Sequence, residues 1–491
     1  MSTLSRRELL TRGAALGGAV AAGGVLAACG GGGAPPRGPR VVVVGAGLAG
    51  LVCARRLSAA GLRVTVIEAQ QRIGGRCWST RRIAPGVVGE HGGELIDTGH
   101  ARIRALAAEL DVPLTDLLAA DAEAGGEREV LELGGRRRRR ALVAAGAAPA
   151  LARLEAEAER IGSYRWDRAG AAAQAFDERS AADWIAANVD GGARSAPGRL
   201  MTVDLTGAFG LDPQDLSAIA LLQLYTGPDA GPEERFRVRG GADQLPRRLA
   251  AQLDERALRV GTALAALRRR PDGRYDVVPD RYRRPLLADA VVLALPLPAL
   301  REVDLGAAGI APRTRRMIDE LGMGTNAKLL LGLDRRTPAF ADWSGELSSD
   351  EPVLQTWDTA LGQPGEQGLL TVFTGGRAGR ELPGGAAHAE APAGLVADVL
   401  ERLEPVAPGI TAAYTGRAWL DAWARDRWTG GSYAAFGPGQ VTRFWGLGAR
   451  PSGRVVFAGE HTSTRAQGYL EGAVESGERA ARQVGALLGV S

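Results

Sequence analysis

RVVVVGAGLAGLVCARRLSAAGLRVTVIEAQQRIGGRCWS, residues Arg40 to Ser79, decides how the chain begins to fold. Val41 to Val44 is an unbroken β-branched run, the pattern of a parallel strand buried on both faces. Gly45-x-Gly47-x-x-Gly50 then turns into an amphipathic helix carrying Leu51, Ala54 and Leu57. The glycines let the backbone turn tightly and approach a pyrophosphate, leaving the helix N-terminus to face the negative charge. A second strand, Val64 to Ile67, leads to Glu68, where a carboxylate can accept both ribose hydroxyls. Strand, turn, helix, strand and acid in this order read as a dinucleotide-binding unit on a parallel α/β sheet.

The continuation EAQQRIGGRCWS resembles the segment that follows the acid in glutathione-reductase-like flavoproteins of the amine oxidase type. That resemblance implies that Arg72 and the turn Gly74-Gly75-Arg76 wrap the diphosphate of FAD. A second glycine pair, Gly240-Gly241, followed by Leu245, resembles the return of the chain to the FAD domain, with main chain near Leu264 on the adenine. Ala288 to Leu300 reads as another buried strand ending at a proline-bounded turn. FAGEHTSTRAQGYLEGAVESGERAA, Phe457 to Ala481, is similar to the C-terminal FAD segment of flavin-containing amine oxidases, and the resemblance runs from about Arg40 to the chain end. It implies a strand at Val455 to Phe457, backbone approach at Gly459, and a hydrogen bond from the cofactor's sugar-alcohol chain to Glu460. A helix starting near Leu470 would aim its N-terminal dipole at the flavin's pyrimidine edge, with Gly472, Ala473 and Gly477 permitting close packing.

The expected fold is therefore α/β plus α+β. A glutathione-reductase-like Rossmann FAD-binding domain is assembled from 40–99, 233–304 and 428–491, and a discontinuous mixed substrate-binding domain from 100–232 and 305–427. The first insertion reads as mostly helical, with Asp212-Pro213 as the start signal of one helix. Trp343, Trp357 and Trp419 in the second read as core or entrance-lining, with no assignment between the two.

The same resemblance assigns the chemistry. GMGTNAKLLLGLD brings Lys328 to the flavin to orient a water, in a strand pattern where a solvated lysine is out of place. Tyr433 and Tyr469 form an aromatic cage that excludes water and favours a neutral amine. Ser432 stands where mitochondrial monoamine oxidases carry the flavin-bonded cysteine, so FAD is expected to be non-covalent. In GVVGEHGGELIDTGH, L-amino acid oxidases hold the substrate carboxylate with an arginine where this chain has Leu95. Glu90 and Glu94 suit an amine bearing a second cationic group instead. Arg102 or Arg104 on the next helix keeps an L-amino acid oxidase open as an alternative. The reaction implied is hydride loss from the carbon next to an amine, giving an imine that hydrolyses to a carbonyl compound plus ammonia or an amine. Oxygen is the expected acceptor and hydrogen peroxide the product, a protein carrier being the alternative acceptor. A silent flavin-binding surface protein is the third reading.

A net charge of +4 over 491 residues gives no support to nucleic-acid binding. The run Arg136 to Arg140 reads as a solvated hairpin or loop tip, with an anionic-surface contact as the alternative. Arg6-Arg7 before Leu9-Leu10 resembles a twin-arginine export signal, and Leu26-Ala27-Ala28-Cys29 a lipoprotein cleavage box. Residues 1–29 are thus expected to be an export signal and 30–39 a flexible tether, placing a lipid-anchored protein in the periplasm or on the cell surface. Cys53 and Cys77 are the two cysteines beyond it, and Cys53, on a helix, reads as a buried thiol.

Overall fold

The computed structural model describes residues 38–124, 129–226, 234–281, 284–350 and 352–490. The expected export signal, with the expected lipidation site at Cys29, and nearly all of the expected tether lie outside the described residues.

Arg40–Val44 is the central strand of a five-stranded sheet in the order Leu258–Arg259, Arg63–Ile67, Arg40–Val44, Ala290–Leu293, Val455–Phe457. All four pairings are parallel, with Val42 opposite Thr65 on one side and Val291 on the other. Three distant stretches of chain thus meet in one sheet, and burial on both faces explains their continuous apolar runs. One face is covered by the helices Leu48–Ala59 and Leu470–Leu488, whose Leu51, Val52, Val474 and Ala480 share a core with Val41 and Val43. A Cβ on Gly477 would stand 2.5 Å from the Ala49 carbonyl, so glycine sets how closely these helices approach. On the other face an antiparallel meander, Leu264–Arg269, Tyr275–Pro279 and Leu286–Ala288, packs Leu267, Tyr275 and Val277 against Val42 and Val291. Cys53 and Cys77 are both buried and free.

The second large element is an eight-stranded sheet: His388–Glu390, Tyr414–Ala422, Ala327–Leu333, Gly368–Thr374, Val353–Asp358, Leu347–Asp350, Val130–Glu132, Arg137–Arg138. Ala327–Leu333 is buried at every position, Lys328 included. Its neighbours are both antiparallel, and they set Lys328 opposite Phe373 and Asp421. A small sheet then joins Leu95–Ile96 to Phe236–Val238, pairing Leu95 with Arg237.

Two expectations change. The first insertion is mainly helical but also supplies Val130–Glu132 and Arg137–Arg138 to the edge of the large sheet. Asp212-Pro213 opens a turn, and the helix starts at Ile219. Asp212 instead accepts the Arg377 N–H (2.8 Å), capping a helix more than 160 residues away in the chain. Its capping capacity was legible; its partner was not.

Candidate active site

One cavity of about 610 Å³ runs between these elements. It begins at Glu68, Thr262 and Leu264, passes Arg76 and Glu460, and reaches Lys328, Tyr433 and Tyr469. An outer arm continues to Leu151 and Glu155 on the helix Arg140–Ile161.

At the nucleotide end Gly45 takes φ +103°, and a Cβ there would stand 2.6 Å from the Ala294 carbonyl. A Cβ on Gly47 would meet nothing within 4 Å, so this glycine keeps cavity space clear rather than relieving a protein contact. Glu68 accepts the N–H groups of Ala46 and Gln70 (both 2.8 Å), and burial pushes its carboxyl up. Arg72 closes the following turn, donating to the Gly75 carbonyl (2.7 Å) and lying over Trp78 at 4.2 Å. Its other terminal nitrogen is buried without a partner, as are His461 Nδ1 and Gln467 Oε1. Arg76 donates to the Ser432 carbonyl (2.7 Å) and Glu460 (2.9 Å), while Glu460 also accepts from Ala434 and Gly468. The Glu460 carboxylate therefore ties three chain segments together at the cavity wall. Gly74, Gly75, Gly459 and Leu470 complete the cradle, and Leu470 leaves no room for a Cβ on Gly93. Gly50 lies behind it, where a Cβ would stand 2.0 Å from the Gly45 carbonyl. Arg72 does not line the cavity, so it shapes the turn rather than wrapping the diphosphate as expected, whereas His461 and Gln467 do line it. Their orphaned buried polar atoms beside a clear glycine floor are what a bound dinucleotide would satisfy. The residues present fit FAD. Ser432 donates to Asn326 (2.7 Å) and offers no thiol for a covalent bond.

The far wall is built on charge. Lys328 Nζ donates to Glu94 Oε2 (2.9 Å) and to the carbonyls of Gly92 (2.9 Å) and Glu90 (3.3 Å). Glu94 Oε1 accepts from Arg237 (3.2 Å) and from Trp357 Nε1 (3.3 Å). Arg237 also donates to the carbonyls of Thr359 (2.6 Å) and Leu361. Burial pushes the Glu94 carboxyl up, but the Lys328 and Arg237 charges outweigh it and hold it below its usual range. Trp357 places its ring 5.3 Å from the lysine nitrogen and 5.5 Å from Phe373. Tyr433 donates its hydroxyl to the Gly207 carbonyl (2.8 Å), and Tyr469 meets His100 edge-on at 4.8 Å. Burial raises the pKa of both tyrosines, so they stay protonated donors.

The two carboxylates expected to bind substrate are not placed to do so. Glu90 does not line the cavity: it accepts from Ser79 Oγ (2.7 Å) and the Ala242 N–H (2.8 Å), and burial lifts its pKa to about 8. Glu94 does line the cavity, yet it is already paired with two cations, which corrects the reading of it as a partner for a second substrate charge. Arg102 and Arg104 are turned elsewhere, the first to Glu478 (2.6 Å) and the second to the Thr98 carbonyl (2.7 Å). Neither lines the cavity.

Arg237, Phe373, Trp423 and Asn326 line the cavity without having been expected there, and Trp357, read as core or entrance-lining, lines it too. Trp343 belongs to the core, and Trp419 lies behind the wall, donating to Asp421 (3.1 Å). One available signal was compositional: of the 60 lysines and arginines in the chain, Lys328 is the one lysine. A chain that uses arginine everywhere else keeps a compact three-donor ammonium at this buried point, where a planar guanidinium would not fit the same acceptors.

Comparison with known proteins agrees with this geometry. Residues 48–485 match the family model for flavin containing amine oxidoreductases. A Mycobacterium tuberculosis protein that carries the name of a flavin-containing monoamine oxidase is 30% identical over 478 residues, covering 92% of this chain and 98% of that one. An L-amino acid dehydrogenase of Synechocystis is 27% identical over 501 residues, covering 91% and 95%. Among solved structures, cyclohexylamine oxidase from Brevibacterium oxydans shares the fold with a TM-score of 0.78 at 22% identity, over 92% of this chain and 100% of that one. The cradle, the absent thiol and the family match lead to one conclusion: this chain belongs to the flavin-containing amine oxidase family, with FAD as its cofactor.

Proposed function

We propose that this protein is an FAD-dependent oxidase of an amine with an apolar body. The finer architecture goes with that reading: a glutathione-reductase-like nucleotide domain from 40–99, 233–304 and 428–491, carrying a substrate domain from 100–232 and 305–427. The observation that carries it is the buried Lys328–Glu94–Arg237 group facing an aromatic-walled cavity continuous with the nucleotide cradle. FAD, when bound, supplies the acceptor for the hydride lost from the carbon next to nitrogen.

The remaining work falls to the chain's own residues. Trp357, Phe373, Tyr433 and Tyr469 give the substrate an apolar, water-poor berth, which disfavours its ammonium form and leaves the nitrogen lone pair available. Lys328 and Arg237 outnumber Glu94, so the wall carries a net positive charge that also discourages the ammonium at this point. Lys328 is held by three acceptors, the 3.3 Å bond to Glu90 being the weakest and the one a water would replace. Loss of hydride and a proton gives an imine, which water hydrolyses to a carbonyl compound and ammonia or an amine, with oxygen reduced to hydrogen peroxide.

A second reading, an L-amino acid oxidase, is favoured by one observation: Arg237 lines the cavity, and its charge would attract a carboxylate. Peroxide release from a panel of amines and the corresponding L-amino acids separates the two. The amine reading expects the higher kcat/KM for amines, and it is lost if L-amino acids win. Acid precipitation should release the FAD, and flavin in the pellet would contradict non-covalent binding. Export through Arg6-Arg7 and anchoring at Cys29 remain part of the proposal. Mass spectrometry of the mature N-terminus, expected to begin with a lipid-modified Cys29, tests them.

A further inference from the structure

The helix Arg140–Ile161 has an outer face unlike that of an ordinary surface helix. Residues 141–152 read ALVAAGAAPALA, without a charged or hydrogen-bonding side chain. Val143, Ala144, Ala147 and Ala150 face inward, whereas Leu142, Ala145, Gly146, Ala148, Pro149 and Ala152 are exposed. Leu142 is 67% exposed, and Val260 is the one other large apolar side chain so exposed among the described residues. The strand pair before the helix, Val130–Glu132 with Arg137–Arg138, turns at Gly134-Gly135 and presents Arg136, Arg137, Arg138 and Arg139 to solvent. Glu132, opposite Arg137, is the one acidic residue on the two strands, and three acidic groups nearby are committed elsewhere. Glu129 pairs with Arg140, Asp350 with Arg199 and the Gly134 N–H, and Glu404 with Gly409 and Thr411. Arg137 donates to the Pro405 carbonyl, and among the described residues none of these four guanidinium groups has a carboxylate partner.

We propose that this hairpin and helix face form a docking surface for an anionic lipid membrane. An apolar helix face beside a basic cluster is matched by the headgroup boundary, where lipid phosphates pair the guanidinium groups and small apolar side chains enter the acyl edge. No described helix is long and apolar enough to cross a membrane, so the contact lies on the surface. A second copy is a poorer occupant, because it brings another uncompensated arginine cluster rather than anions. Ala144, Ala147, Leu151 and Glu155 of the same helix line the outer arm of the cavity, so docking sets that arm beside the lipid.

Sedimentation with vesicles tests this, using the full-length chain carrying Cys29→Ser so that no acyl group contributes. The protein should bind vesicles of equal parts phosphatidylglycerol and phosphatidylcholine, bind phosphatidylcholine alone weakly, and release as salt is raised. Combined Arg136→Gln, Arg138→Gln and Arg139→Gln should reduce binding to the anionic vesicles at least about tenfold. Both proteins share the same N-terminus, so the difference isolates the hairpin, and retained flavin absorbance reports that the variant is folded. Leu142→Ser should weaken the binding that survives in salt. Equal binding by the arginine variant, or no preference for anionic vesicles, overturns the proposal. A concentration-dependent dimer abolished by Leu142→Ser would overturn it too, assigning the face to a second copy.

Discussion

Glu90 and Glu94 stand four residues apart, both buried, and they end in opposite states. At the Glu90 end the partners are a serine hydroxyl and a backbone N–H, and the carboxyl is lifted to about 8. At the Glu94 end Lys328 and Arg237 converge on the carboxylate and hold its pKa down. Burial penalises charge equally at both ends; what differs is whether a neighbouring element brings a cation. One end is a neutral structural post, the other an ionic wall facing the cavity.

The largest effect should come from breaking the ionic end. Glu94→Ala leaves two buried cations facing each other, and a cost of about 3–5 kcal/mol is expected in urea unfolding of the holoprotein. A loss under about 1 kcal/mol would mean that the cations find other partners and that the wall is not a unit.

Glu90→Gln probes the neutral end. Glu90's folded pKa stands above its ordinary value of 4.5, so the stability it contributes is fully present below that value and is lost as pH rises toward about 8. Wild type should therefore lose about 3–5 kcal/mol across that window relative to Glu90→Gln, whose amide stays neutral throughout. Parallel stability curves for the two proteins would show that Glu90 is charged in the fold.

Tyr433→Phe should do least. It removes one hydroxyl bond to the Gly207 carbonyl while keeping the ring, and about 1 kcal/mol is expected, read mainly as a raised KM for amines. A collapse in kcat with KM unchanged would give the hydroxyl a chemical role instead.

The nucleotide end of the molecule was legible because its determinants are local. Gly45, Gly47, Gly50 and Glu68 occur within one strand-helix-strand unit, and their spacing carries the geometry. The wall was legible only in part. Lys328 was named from the resemblance of its strand, but Glu94, which it shares with Arg237, lies 234 residues away and Arg237 91, and no local pattern brings the three together. Glu90 and Glu94 were read alike for the same reason, since their difference resides in what packs against them. The first insertion concealed Leu114–Asp116, Val130–Glu132 and Arg137–Arg138 because strands of two or three residues are too short to show a period.

The most direct test of the account is Lys328→Arg. The substitution keeps the charge and brings the position into line with every other basic residue of the chain. The account predicts that FAD is retained and that Glu94 remains paired, but that amine turnover falls at least about tenfold, because a planar guanidinium cannot present the three compact donors that reach Glu94, Gly92 and Glu90. Turnover equal to wild type would contradict it, reducing Lys328 to a generic buried cation and removing the residue on which the proposed chemistry rests.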